Sequence, residues 1–96
     1  MKEIHINYFE HNGEKIYLKE RITLVPYRSK HDELWLVEYE PLGIDTFAFT
    51  KKLLKKFVYE DLLSNYIFFA LEEDDKKLTP RAKDLKYSIL KHIKEK

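Results

Sequence analysis

Along residues 1–50 apolar and polar positions alternate, whereas along residues 51–96 apolar positions recur every three or four. The first period is that of half-buried strands and the second that of helices, so the chain is predicted to be α+β. The expected architecture is an antiparallel sheet of three to four strands in the N-terminal half packed against two C-terminal helices. One domain over 1–96 is expected, with 1–50 as a β-meander and 51–96 as the helical half.

Ile4-His5-Ile6-Asn7-Tyr8 and the stretch from Ile16 to Val25 read as strands around Asn12-Gly13, a strong hairpin signal. A two-residue loop would set Ile4 opposite Arg21 and Ile6 opposite Lys19, wasting both apolar faces. A three-residue loop, His11-Asn12-Gly13 with Gly13 left-handed, sets Tyr8 opposite Ile16 and Ile6 opposite Leu18. Because a one-residue slip reverses every side chain, burial favours the bulged form. The core set is then Ile4, Ile6, Tyr8, Ile16, Leu18, Ile22 and Leu24, with His5, Asn7, Phe9, Tyr17, Lys19 and Arg21 on the other face.

Pro26 cannot donate to a ladder and should end the second strand, leaving Tyr27–Asp32 as a polar connection. Leu34–Tyr39 is the third strand, covered on both faces or turning Trp35, Val37 and Tyr39 to the helices. Ile44–Phe49 is the fourth, with Phe47 and Phe49 on one side. Connections this short favour an antiparallel meander.

Thr50 is a suitable N-cap for a helix burying Leu54, Val58, Leu62 and Tyr66. That helix is expected to run to about Glu73, with a strand over Tyr66–Leu71 as the alternative. Thr79-Pro80 opens the last helix, since proline at the first helical position loses no hydrogen bond. Its apolar stripe is Ala82, Leu85, Ile89 and Ile93. Glu72–Asp75 between the helices reads as a solvated turn.

Composition narrows the chemistry. The 96 residues contain no cysteine, which excludes disulfides, thiol nucleophiles and cysteine-bound metal. With only two glycines, no loop can cradle a nucleotide phosphate. His5 and His11 lie roughly 20 Å apart on an extended strand and cannot share an ion. Carboxylates are plentiful but sit in like-charged runs, and Ser29, Ser64 and Ser88 occupy no nucleophile elbow. No cofactor and no metal are expected. The opening MKEIHINYFE lacks a signal peptide's apolar run, and no stretch reaches membrane-span length, so the expected location is cytoplasmic and no membrane partner is expected.

Charge is uneven. Net charge is +1, yet residues 1–50 hold 6 Lys+Arg and 9 Asp+Glu, and residues 51–96 hold 12 and 8. Lys51, Lys52, Lys55 and Lys56 crowd the start of the first helix, where the helix dipole and their i,i+4 spacing both disfavour cations.

The leading expectation is a small non-enzymatic protein-binding or regulatory module, able to self-associate, with Phe9, Tyr17, Arg21, Trp35 and Tyr39 as interface residues, since aromatic residues and arginine anchor interfaces. The alternative is nucleic-acid binding through Lys51, Lys52, Lys55 and Lys56, joined by Lys76, Lys77, Arg81 and Lys83. An enzyme without a recognisable motif ranks third.

Overall fold

The structure, a computed structural model, describes residues 3–31 and 33–94. It is α+β, with β1 (Ile4–His11), β2 (Glu14–Leu24), β3 (Tyr27–Arg28), β4 (Trp35–Tyr39) and β5 (Ile44–Ala48) ahead of two helices, α1 (Lys51–Asn65) and α2 (Pro80–His92). The strands form two antiparallel sheets instead of one meander: the β1–β2 hairpin, and a three-stranded sheet in the order β3-β4-β5. The connection after Pro26 carries the short strand β3, because Tyr27 and Arg28 pair with Leu36 and Trp35. Asp32, the last residue of the expected connection, lies outside the described residues.

The hairpin solves the burial problem differently from the sequence expectation. Asn12 (φ 52°) and Gly13 (φ 79°) are both left-handed, so the turn has two residues and His11 pairs with Glu14. The parity error that this register implies is corrected farther along. Between the pairs Tyr8–Tyr17 and Ile6–Ile22, β1 advances two residues while β2 advances five. This wide bulge resets the register, so that Ile6 meets Ile22 and Ile4 meets Leu24. β1 breaks its own alternation at the same place, between Ile6 and Phe9, so that Phe9 takes Tyr8's place in the core: Phe9 is 2% exposed, and Tyr8 faces outward. The backbone of the bulge does not stay unpaired. Leu18 bridges Ile93 beyond α2, and Lys94 N–H donates to Tyr17 O at 2.8 Å.

Thr50 caps α1 as expected, accepting from Leu53 N–H at 3.1 Å, and the helix buries Leu54, Val58 and Leu62. Beyond Asn65 the helix neither continues regularly to Glu73 nor becomes a strand. Tyr66–Ala70 forms a π-helical turn, closed by Leu71 N–H on Tyr66 O at 3.0 Å. One extra residue in the turn rotates the apolar run. Tyr66 packs edge-on against Phe9, with centroids 5.1 Å apart, and Ala70 is buried. Asn65 anchors the junction by donating Nδ2–H to Leu42 O (3.0 Å) and Gly43 O (2.8 Å).

Thr79 caps α2, accepting from Ala82 N–H at 3.1 Å, with Pro80 at the first position. Ile89 is fully buried, and Ser88 Oγ donates to Pro41 O in the β4–β5 turn at 2.5 Å. One core unites these parts, drawing Ile6 and Leu24 from the hairpin, Val37 and Ile44 from the second sheet, and Leu54, Leu62 and Ile89 from the helices.

Candidate functional site

The second sheet places its side chains by simple alternation. Trp35, Val37 and Tyr39 of β4 and Ile44 and Ala48 of β5 face the core, as expected for a sheet covered by helices on one side. On the opposite face no element among the described residues covers the exposed Tyr27 and Phe47, and Leu36 between them is half-buried. Across this face Tyr27 pairs with Leu36 and Leu36 with Phe47, one apolar row spanning all three strands. Tyr27 is 47% exposed and Phe47 60%, and Phe49, just past the strand end, is 74% exposed. The next cross-strand pair on this face is Glu38 with Asp45. Like charges directly opposite destabilise a sheet, so this pair leaves a negative row beside the apolar one. Tyr27 Oη–H donates to Glu38 Oε1 at 3.1 Å, which raises the tyrosine's pKa.

The negative row leads into an open groove of about 1080 Å³ between the β4–β5 turn and α2. Glu38, Glu40, Asp45 and Asp84 line it with a single cation, Arg81, above an apolar floor that includes Phe69 and Leu85. Asp61 of α1 accepts from Asp45 N–H at 2.9 Å, occupying a donor on the free edge of β5. Partial burial raises the Asp61 pKa, against the lowering effect of that hydrogen bond.

The interface residues expected from sequence do not converge. Phe9 must be removed from the set, because β1 changes face between Ile6 and Phe9 and buries it in the core. Tyr17 is exposed and packs on Tyr8 at 5.5 Å, and Arg21 is exposed on the same hairpin. Trp35 and Tyr39 lie half-buried on the inner face of the other sheet. Trp35 is further occupied by two cations, Lys51 Nζ at 4.6 Å and Arg28 Cζ at 5.6 Å from its ring centroid. The uncovered row was nonetheless readable in part: once Trp35, Val37 and Tyr39 face inward, strict alternation sends Leu36 and Phe47 outward.

The basic residues also divide. Lys52, Lys55 and Lys56 are exposed on the first turns of α1 and form no ion pair among the described residues, while Lys51 is held on Trp35. Arg81 lies in the acidic groove, beside the Gly43 turn to which the far end of α1 is tied. A 15-residue helix spans roughly 22 Å, so the two basic sets sit at opposite ends of α1. Lys76 and Lys77 are exposed on a 3₁₀ turn at Asp75–Lys77, and Lys83 is half-buried near Asp75.

Glu72–Asp75 is more than a solvated turn. Lys86 of α2 is 7% exposed, and its Nζ donates to Glu72 O at 2.5 Å and Asp75 Oδ1 at 2.7 Å. Tyr87 Oη–H donates to Asp75 Oδ2. The hydrogen bond from Lys86, and then that from Tyr87, hold the Asp75 carboxyl below its usual pKa. The same contacts raise the pKa values of Lys86 and Tyr87. Sequence could not show this lock, since a lysine on an amphipathic helix is ordinarily solvated. Among the described residues no helix is long and apolar enough to cross a membrane. No protein-family model, curated protein or solved structure matches this chain.

Proposed function

We propose that this protein is a small non-enzymatic protein-binding module, and that the outer face of β3-β4-β5 is its docking surface. The uncovered row Tyr27–Leu36–Phe47 carries this reading. Exposed aromatic side chains on a rigid sheet supply contact area at small entropic cost, and interface anchors are drawn from such residues. The adjoining carboxylates of Glu38, Asp45, Glu40 and Asp84 select the partner by charge: a segment with apolar anchors and flanking lysine or arginine. Cytoplasmic residence accords with a chain that has no cysteine.

The test is selection of random displayed peptides on the immobilised protein, followed by NMR mapping of the enriched sequences. Basic peptides with aromatic or aliphatic anchors are expected, shifting the amides of Tyr27, Leu36 and Phe47. Phe47→Ser should weaken them about tenfold or more. Failure to enrich any peptide, or undiminished binding to Phe47→Ser, would sink the reading. A wild-type chain that dimerises where Phe47→Ser stays monomeric would identify the partner as a second copy.

Lys52, Lys55 and Lys56, exposed and without an ion pair among the described residues, support a second reading, contact with nucleic-acid phosphates. Binding that weakens linearly in log salt and collapses in Lys52→Glu/Lys56→Glu would favour it over the sheet face.

A further inference from the structure

A separate cleft of about 370 Å³ opens between β1 and α1, walled by Tyr8, Tyr59 and Leu63 and bordered by Asn7, Glu10 and Glu60. Its volume falls within the range of small-molecule sites. Among the described residues no lysine or arginine lines it. Glu10 and Glu60 are exposed and form no ion pair among the described residues, so two carboxylates stand at the rim.

Lys15 shows what the aromatic wall attracts. It stands directly opposite Glu10 in the β1–β2 ladder, where a salt bridge would be the ordinary outcome. Its Nζ lies instead over the ring of Tyr8, 5.0 Å from the centroid. The electron-rich face of a tyrosine attracts ammonium groups, and the Tyr8 ring already draws one from outside the cleft lining. Tyr59 is half-buried, and burial raises its pKa. Anions are repelled by the two glutamates. Small metal cations bind poorly to ring faces and want converging oxygens.

We infer that this cleft is a binding site for a small alkylammonium cation, held between the Tyr8 and Tyr59 rings and the carboxylates of Glu10 and Glu60. The site uses none of the residues of the sheet face and stands or falls separately from it. The cation reaches it either as a free small molecule or on a methylated lysine of another chain.

Titration of the full chain followed by NMR tests the assignment, with choline as the probe and its uncharged isostere 3,3-dimethyl-1-butanol as the control. Choline should shift Tyr8, Tyr59 and Glu60 saturably with a Kd on the order of 1 mM, and the isostere should bind about tenfold more weakly. Glu60→Gln, an exposed and fold-neutral change, should weaken choline several-fold. Lys15→Met removes a positive charge beside Glu10 and Tyr8 and should tighten it. N-acetyl-trimethyllysine amide, run alongside, distinguishes the sources: tighter binding than choline points to a protein-borne cation, and equal or weaker binding to a free one. Absence of saturable shifts with either cation, or equal binding of the isostere, would overturn the inference.

Discussion

Lys86 Nζ lies 2.7 Å from Asp75 Oδ1, and through this contact a buried lysine ties the acidic turn to α2. The opposite end of the turn is tied as well, since the same Nζ also holds Glu72 O. Breaking one partner of such a pair leaves the other poorly solvated, which costs more than the pair contributes.

The lock gives the protein a pH signature. Asp75 has a folded pKa below its unfolded value, so its contribution is present above about pH 4 and is lost as pH falls through the folded value. Lys86 and Tyr87 have raised values, so theirs is present below about pH 10 and is lost as pH rises beyond it. Thermal melts of wild type and Asp75→Asn should therefore differ by several degrees between about pH 5 and pH 9, with the gap narrowing on the acid side below about pH 4. A gap that does not depend on pH would show that the carboxylate charge is irrelevant to the lock.

Gly43 and Gly13 provide a matched pair of tests. Both have positive φ, 66° and 79°, so alanine is strained at either. At Gly13 nothing lies within 4 Å of an added Cβ, whereas at Gly43 it would meet Asn65 Nδ2 at 2.8 Å and Leu85 at 3.0 Å. Gly13→Ala is expected to cost about 1 kcal/mol in urea denaturation, from backbone strain alone. Gly43→Ala should cost about 2–4 kcal/mol, because it also displaces the amide that satisfies Leu42 O and Gly43 O. Equal losses at the two sites would mean that the Asn65 anchor contributes little.

The bulge in β2 makes its own forecast. Phe9→Ala should destabilise by about 3–5 kcal/mol, as core phenylalanine truncations do, while Tyr8→Ala should cost about 1 kcal/mol or less. The three-residue turn expected from the hydrophobic pattern requires the reverse order. Chemical denaturation of the two variants decides between the registers.

The sequence by itself determined the class of fold and the caps. Alternation followed by helical spacing marked sheet and helices, and Thr50 and Thr79 carry their function in a residue type and one short-range hydrogen bond. The inward face of β4 was legible for the same reason, since period-two alternation needs no partner to be read. What only the tertiary structure decided were the relations that depend on distant chain segments. Asn12-Gly13 is compatible with two turn lengths, and the choice rested on a bulge whose backbone is paired by Leu18 with Ile93, 75 residues away. The end of α1 at Asn65 is tied to carbonyls at Leu42 and Gly43, and the burial of Lys86 is matched by a carboxylate supplied by another turn. The burial of Phe9 and the inward turn of Trp35 were settled on the same ground. Periodicity says that a strand has two faces, but only packing says which of them is covered.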